Sequence, residues 1–299
     1  MCCSMQRPHP QSRRKASMMT PTTARARALR PVDRGEAGRI LADLRAQDFV
    51  FTVLETERVS DTYQRVRCAG NGFLRTHAPY PTMWVRLWFT DPTGTGAGHQ
   101  RAYTLVDPDV ETDTFWLEFA IHDGAAARWA QQTVPGDEIE ASLYGSEPSL
   151  PDCDDVDRHL LVGDTASLPA INSLLDAVSA APTTVVLEWV HPEDRALPVR
   201  LRPQDSLRWV RRTDNGQGLL DAVDAEVAAF VAADEAPGER TNLHATEATC
   251  TRLFAWGACD TVTTRALTKK LRAAGLRRDC IKTLGYWLPP KEDDQALAG

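Results

Sequence analysis

Residues 159–190, HLLVGDTASLPAINSLLDAVSAAPTTVVLEWV, decide the class of fold. The apolar run HLLVGD closes on Gly163, ASLPAINSLLDAVSA has the composition of a helix, and TTVVLEWV is a second, nearly unbroken apolar run. Strands apolar on both faces, separated by a helix, belong to a parallel sheet covered on both sides. The alternation continues downstream. SLRWVRR reads as a strand and GLLDAVDAEVAAFVAAD as a helix with Leu219, Val223, Val227, Phe230 and Val231 along one face. TRLFAWGAC is a strand, DTVTTRALTKKLRAAG a helix closed by Gly275, and CIKTLGYW a last strand.

Upstream the period changes. DFVFTVLETERV, TYQRVRCAG, TMWVRLWF, QRAYTLV, TFWLEFAIH and DEIEASLYG are short extended runs separated by Gly, Pro, Asp and Thr. Trp84, Arg86 and Trp88 alternate with Val85, Leu87 and Phe89, as in a strand with both faces partly covered. Only GRILADLRAQ and AAARWAQQ offer short helices, so this half predicts an antiparallel β-barrel. SEPSLPDCDDVD, with two prolines and five acids, reads as the linker. The expected division is a basic, disordered tail over 1–30, a barrel over 31–150 and an α/β domain over 151–299. A cleft between the two domains is suited to aligning two ligands.

Charge is unevenly spread over the 299 residues. The net of -7 combines a first thirty residues holding seven Arg or Lys and no acid with a remainder holding 27 basic and 41 acidic residues. So acidic a body argues against a nucleic-acid partner, which needs a basic face. No run of 18 apolar residues exists to span a membrane, and no apolar h-region follows QSRRKASMMT as a signal peptide requires. Seven scattered cysteines without a CxxC pair fit reduced thiols in a cytoplasmic protein. Cys250 and Cys259 are possible spatial neighbours, or simply buried small residues. A monomer is expected.

Four stretches offer ligand chemistry. In RAYT, Arg101 and Tyr103 share one strand face and Thr104 points to the other. A guanidinium pairs with phosphate and a phenol ring lies against a flat heterocycle, while the same residues also suit an ordinary strand. About twenty residues on, IHDGAAARWA places His122 and Gly124 before a helix whose first amides suit a pyrophosphate. LLVGDTASLPAI ends a strand on Gly163 and opens a helix with Asp164, Thr165 and Ser167, either a phosphate turn or a capped helix. LFAWGACDTVTT repeats the theme with Gly257, Asp260 and Thr261, and two such switches on one sheet edge make a better dinucleotide site than either alone. No metal-ligand cluster and no catalytic acid–base pair stands out.

RAYT, IHDGAAARWA followed by PGD, LLVGDTASLPAI, LFAWGACDTVTTRALTKKLR and the terminal LGYW, in this order from about Phe49 to Pro290, resemble the siderophore-interacting proteins. These are FAD-binding ferric-siderophore reductases of the ferredoxin-reductase-like superfamily. The resemblance implies a flavin-binding barrel followed by a nucleotide-type domain. By it, Arg101, Tyr103 and Thr104 hold the isoalloxazine and phosphate end of FAD, and His122, Gly124, Ala127 and Trp129 line the rest. Asp164, Thr165 and the segment Trp256, Gly257, Ala258 receive NADPH or NADH. The chain departs from the family pattern at Val106, where a basic residue is common, and at Ala127, which is often Ser. GACD, with Cys259 and Asp260, stands where GEA is usual, and LYGSEPS replaces a GPRG-like turn.

The implied reaction is reduction of a ferric siderophore with electrons from NAD(P)H, releasing ferrous iron, with the protein aligning cofactors and iron chelate. Reduced ferredoxin is an alternative electron source. Arg86, Arg65, Arg67 and Arg75 are candidates for attracting an anionic chelate, and Arg208, Arg211 and Arg212 for the extra phosphate of NADPH, whereas Glu188 or Asp194 would favour NADH. A general flavin oxidoreductase is separated from this reading by its acceptor range. A non-enzymatic siderophore-binding protein is separated by the colour of the purified material.

Overall fold

The computed structural model describes residues 29, 31–91, 94–150, 156–178, 180–234 and 252–289. The expected tail (1–30) therefore lies almost entirely outside the described residues, as do Cys153, Cys250 and the central part of the expected linker.

A helix, α1 (Gly35–Asp43), leads into a curled antiparallel sheet. Its strands are β1 (Gln47–Ser60), β2 (Tyr63–Ala69), β3 (Trp84–Thr90), β4 (Gly98–Thr104), β5 (Val106–Asp109), β6 (Thr114–Ala120) and β7 (Glu138–Leu143). A single turn, α2 (Phe73–Thr76), and the helix α3 (Ala125–Gln132) complete this half. The strand order is β4-β3-β7-β1-β2-β6-β5, a half-barrel in which β4 and β5 are the two edges. The run QRAYTLV, read as one strand, is thus two. The ladder breaks at Leu105, and Asp107 takes a left-handed φ of 47°, turning the chain from one edge of the sheet to the other.

Binary patterning explains the curl. Val85, Leu87 and Phe89 of β3 join Phe51, Val66, Phe115, Leu117 and Phe119 in a core that α3 closes through Ala126 and Ala130. On the other face, Trp88 donates to Ser142 Oγ at 2.9 Å, and the Arg34 and Arg86 guanidinium groups lie over Trp88 and Trp84. Both faces of β3 are covered, as its sequence predicts.

The second half is a five-stranded parallel sheet ordered β10-β9-β8-β11-β12. It comprises β8 (Arg158–Asp164), β9 (Thr183–Trp189), β10 (Ser206–Arg211), β11 (Leu253–Asp260) and β12 (Ile281–Trp287), with helices α4 (Leu168–Leu175), α5 (Gln217–Asp234) and α6 (Thr261–Ala273). All eight residues of β11 are buried, while the edge strands β10 and β12 alternate. Two apolar clusters sandwich the sheet. One, with α5 and α6, includes Leu219, Val223, Val227, Leu267 and Leu271; the other, with α4, includes Leu168, Ile171, Leu174 and Trp256. The second cluster also takes in Tyr63 of β2, so the two halves share part of a core.

Candidate functional site at the junction of the two sheets

The end of β4 provides the first wall. Arg101 and Tyr103 pair in register with Leu87 and Val85 and share their face. The Tyr103 ring lies 4.3 Å from the Phe119 ring and 6.0 Å from Phe89, and Trp129 packs 5.7 Å from both of those phenylalanines. Burial pushes the Tyr103 phenol well above its usual range, so it stays neutral. Arg101 is exposed, donates to the Gln100 carbonyl at 2.7 Å and has no carboxylate partner among the described residues.

The second wall is the turn into α3. Gly124 is the N-cap, and no side chain caps the first turn, which leaves the leading amides free for an acceptor. A Cβ at Gly124 would stand 2.3 Å from the His122 ring, so any side chain there would push that exposed imidazole aside. Partial burial, and then the Arg101 charge, hold the His122 pKa below the usual range. Arg101 thus acts electrostatically on both His122 and Tyr103, which joins the RAYT strand to the glycine turn. Ala127 is buried and can offer only its backbone, and Trp129 supports the turn from the core side.

Thr104 joins this wall to the other sheet. Its side chain is buried beside Tyr286 of β12, whose phenol burial pushes up to about 12 while Thr104 opposes the rise. Tyr286 belongs to LGYW but not to the residues singled out from the sequence. Its role depends on a contact between positions 182 residues apart, and the aromatic pair in LGYW was the only local signal.

At the carboxyl ends of the parallel strands, both glycine switches are occupied by their own aspartates. Asp164 Oδ1 accepts from the Ala166 and Ser167 amides at 3.0 and 3.1 Å, and Oδ2 accepts from Trp287 Nε1 at 2.7 Å. Asp260 caps α6 through the Val262 and Thr263 amides, both at 2.9 Å. Between them, Arg212 pairs with Glu188 and, at 3.0 Å, with Asp260, and its guanidinium lies 4.9 Å from the Trp287 ring. Burial raises the Asp164 pKa and pushes Glu188 up to about 7 against the pull of Arg212. Glu188 Oε1 is buried without a hydrogen-bond partner.

The other residues expected here divide by exposure. Thr165 is half-buried beside Asp164, whereas Trp256 and Ala258 are core residues of β11. Gly257 makes room for α6, since a Cβ there would meet Leu267 Cδ2 at 2.4 Å. Asp194 is buried, accepting from the Val190 and His191 amides and from Thr62 Oγ1. Of the three arginines considered for a phosphate, Arg212 is consumed by carboxylates and Arg208 pairs with Glu226 at 3.5 Å. Arg211 is exposed over Trp189, with Arg195 also stacked on that ring.

The first wall, the glycine turn and the Thr104–Tyr286 contact fit a flavin nucleotide. They supply a flat aromatic, a cation without a carboxylate, uncapped helix amides and a hydroxyl pair at the seam of two domains.

Comparison with known proteins agrees with the two-domain fold. The model of the siderophore-interacting protein family matches residues 156–289, and that of the siderophore-interacting FAD-binding domain matches residues 94–143. The chain is 35% identical over 196 residues to the mycobactin import ATP-binding/permease protein IrtA of Mycolicibacterium smegmatis, an alignment covering 64% of this chain and 23% of that protein. It spans less than a quarter of the length of the curated relatives it matches. Its fold is similar to the siderophore-interacting protein of A. baumannii, with a TM-score of 0.65 at 16% identity over 85% of this chain and 94% of that one. It is also similar to SipS of Aeromonas hydrophila, with a TM-score of 0.61 at 18% identity over 85% and 96%. With the models of its two domains matched in order, residues 94–143 before residues 156–289, the chain belongs to the siderophore-interacting protein family.

Proposed function

We propose that this protein binds FAD at the junction of its two sheets and reduces ferric siderophores with electrons from NAD(P)H. The observation that carries the reading is the convergence of Arg101, Tyr103, the uncapped first turn of α3 and the Thr104–Tyr286 contact along one seam. Arg101 and the amides of α3 answer the phosphates, and Tyr103, backed by Phe119 and Phe89, offers a ring to the isoalloxazine. Bound FAD supplies the exchange between a two-electron donor and one-electron ferric acceptors. The protein's own work is alignment and exclusion of water.

On the chelate side Arg86 is the favoured residue. Arg65 is committed to Glu57, Asp107 and Glu118, while Arg67, Arg75 and Arg86 have no carboxylate partner among the described residues, and of these three Arg86 has its Nε buried without a hydrogen-bond partner. On the donor side Arg211 and Arg195, both exposed around Trp189, favour NADPH over NADH: an indole suits an adenine and two cations suit a 2′-phosphate. The relatives are mycobactin importers, which makes ferric mycobactin-type chelates the first substrates to test.

The deciding experiment is anaerobic. Purified yellow protein is reduced with NADPH, ferric siderophore is added, and flavin reoxidation is followed while a chelator traps ferrous iron. Reoxidation with about two ferrous ions per flavin is expected from the electron count of the cofactor. Stoichiometric FAD with no reoxidation by several chelates would overturn the substrate. Protein that never retains FAD would overturn the whole reading.

A further inference from the structure

The outer side of α6 and the start of β12 carry a charge opposite to that of the molecule. Between residues 261 and 282 stand seven Lys or Arg and a single acid, Asp279, in a chain of net charge -7. Helical spacing sorts them. Thr263, Thr264, Leu267 and Leu271 face the sheet, which leaves Arg265, Lys269 and Arg272 along the solvent side of α6. Arg278 and Lys282, also exposed, extend this row, and Arg272, Arg278 and Lys282 line one groove of 610 Å³ with Asp279, Ile281 and two threonines.

The neighbouring acids are spent on other cations. Asp279 pairs with Arg277, and Asp224 of α5 pairs with Lys270. Arg265, Lys269, Arg272, Arg278 and Lys282 have no carboxylate partner among the described residues, unlike Arg65, Arg200, Arg202 and Arg212. Five cations without a carboxylate partner among the described residues, on one face of an acidic molecule, are an attractive surface for a polyanion.

We propose that this face docks the protein on an anionic phospholipid surface. Two observations select that occupant. Protein interfaces are anchored by buried aromatic or large aliphatic side chains and single-stranded nucleic acid by stacking aromatics, while a duplex is repelled by the acidic body around so narrow a basic row. Among the described residues from 261 to 282 the exposed large apolar side chain is Val262 in the first turn of α6, so around Lys269, Arg272, Arg278 and Lys282 the face offers charge alone, which is what a bilayer of acidic headgroups recognises. The second observation is position. Arg272 lies about 16 Å along the helix axis from the start of α6, and Lys282 about 13 Å along β12 from Tyr286. Arg272, Arg278 and Lys282, the cations of the groove, are therefore displaced toward the amino ends of the strands, away from the ligand-binding edge.

The test is sedimentation of the full-length protein with vesicles. Binding to phosphatidylglycerol vesicles, none to phosphatidylcholine vesicles, and release by salt are expected. Joint Lys269→Glu, Arg272→Glu and Arg278→Glu substitution should weaken binding by about a hundredfold or more while FAD content and melting temperature stay unchanged. If the triple reversal misfolds, the corresponding Gln variants should still weaken binding by at least about tenfold. Indifference to lipid charge would overturn the proposal. So would full binding by the reversed protein, which would assign attraction to the basic first thirty residues, or loss of vesicle binding in favour of an acidic protein or nucleic acid.

Discussion

Arg101 is the residue on which flavin retention should turn. It lacks a carboxylate partner among the described residues, so a phosphate would meet a charge not already neutralised. Arg101→Ala should cost about 1.5–3 kcal/mol of binding, the usual size of a charge-assisted hydrogen bond. Flavin released on dilution should show roughly 10- to 150-fold weaker binding. Tyr103→Phe, which keeps the packing on Phe119, should cost far less than Tyr103→Ala. Glu188 makes a different prediction. Its folded pKa of about 7 lies above the ordinary 4.5, so its contribution to stability is complete below the lower value and lost as pH rises through the upper one. Asp164 and Asp260 deepen this loss and Arg212 opposes it. Glu188→Gln should therefore flatten the fall in melting temperature between pH 5 and 8; an unchanged slope would show that Glu188 ionises normally.

At the scale of elements, the parallel half was legible because burial is written in its strands. β8, β9 and β11 lie inside the sheet and are apolar almost throughout, whereas β10 and β12 at the edges alternate. RAYTLV reads as one strand because both pieces are extended and no Gly or Pro within it marks the break at Leu105, with the left-handed Asp107 just beyond it. The first helix of this half was read as longer than α4 because its capping lies between Asp164 and Ser167, and its end near Asp176 has no Gly signal. Gly163 is required by the packing of α4. A Cβ there would stand 2.0 Å from Ser167 Oγ and 3.0 Å from the Ala258 carbonyl. Gly163→Ala should destabilise the fold by about 1–3 kcal/mol, the range for overpacking a filled site, measurable by urea denaturation.

Across the whole molecule the contacts that define the site are non-local, and this is where the sequence stops being informative. RAYT and the glycine turn show their chemistry locally, but nothing near Thr104 announces Tyr286. The closure of Asp164, Asp260, Glu188 and Arg212 on one another needs four strands in register. Between the halves, Arg200 links Asp107 to Asp176 with both contacts at 2.6 Å, and Thr62 donates to Asp194 at 3.0 Å. Tyr286→Phe removes the hydroxyl that meets Thr104 at this seam while keeping the ring. It should lower FAD affinity by about two- to tenfold, the scale of one neutral hydrogen bond, with little change in melting temperature. Loss of folding instead would make Tyr286 a structural strut and remove it from the site.

Tyr63 has a consequence for anyone who divides the gene. It begins β2 of the first sheet, yet its ring is buried with Leu161, Leu168, Ile171 and Trp256 of the second, and its hydroxyl donates to Glu118 at 2.8 Å. A fragment starting at residue 156 would carry a tyrosine-shaped slot with apolar walls and nothing to fill it. Such a polypeptide, made by itself, should be recovered from inclusion bodies, whereas co-expression with residues 31–155 should restore a soluble pair.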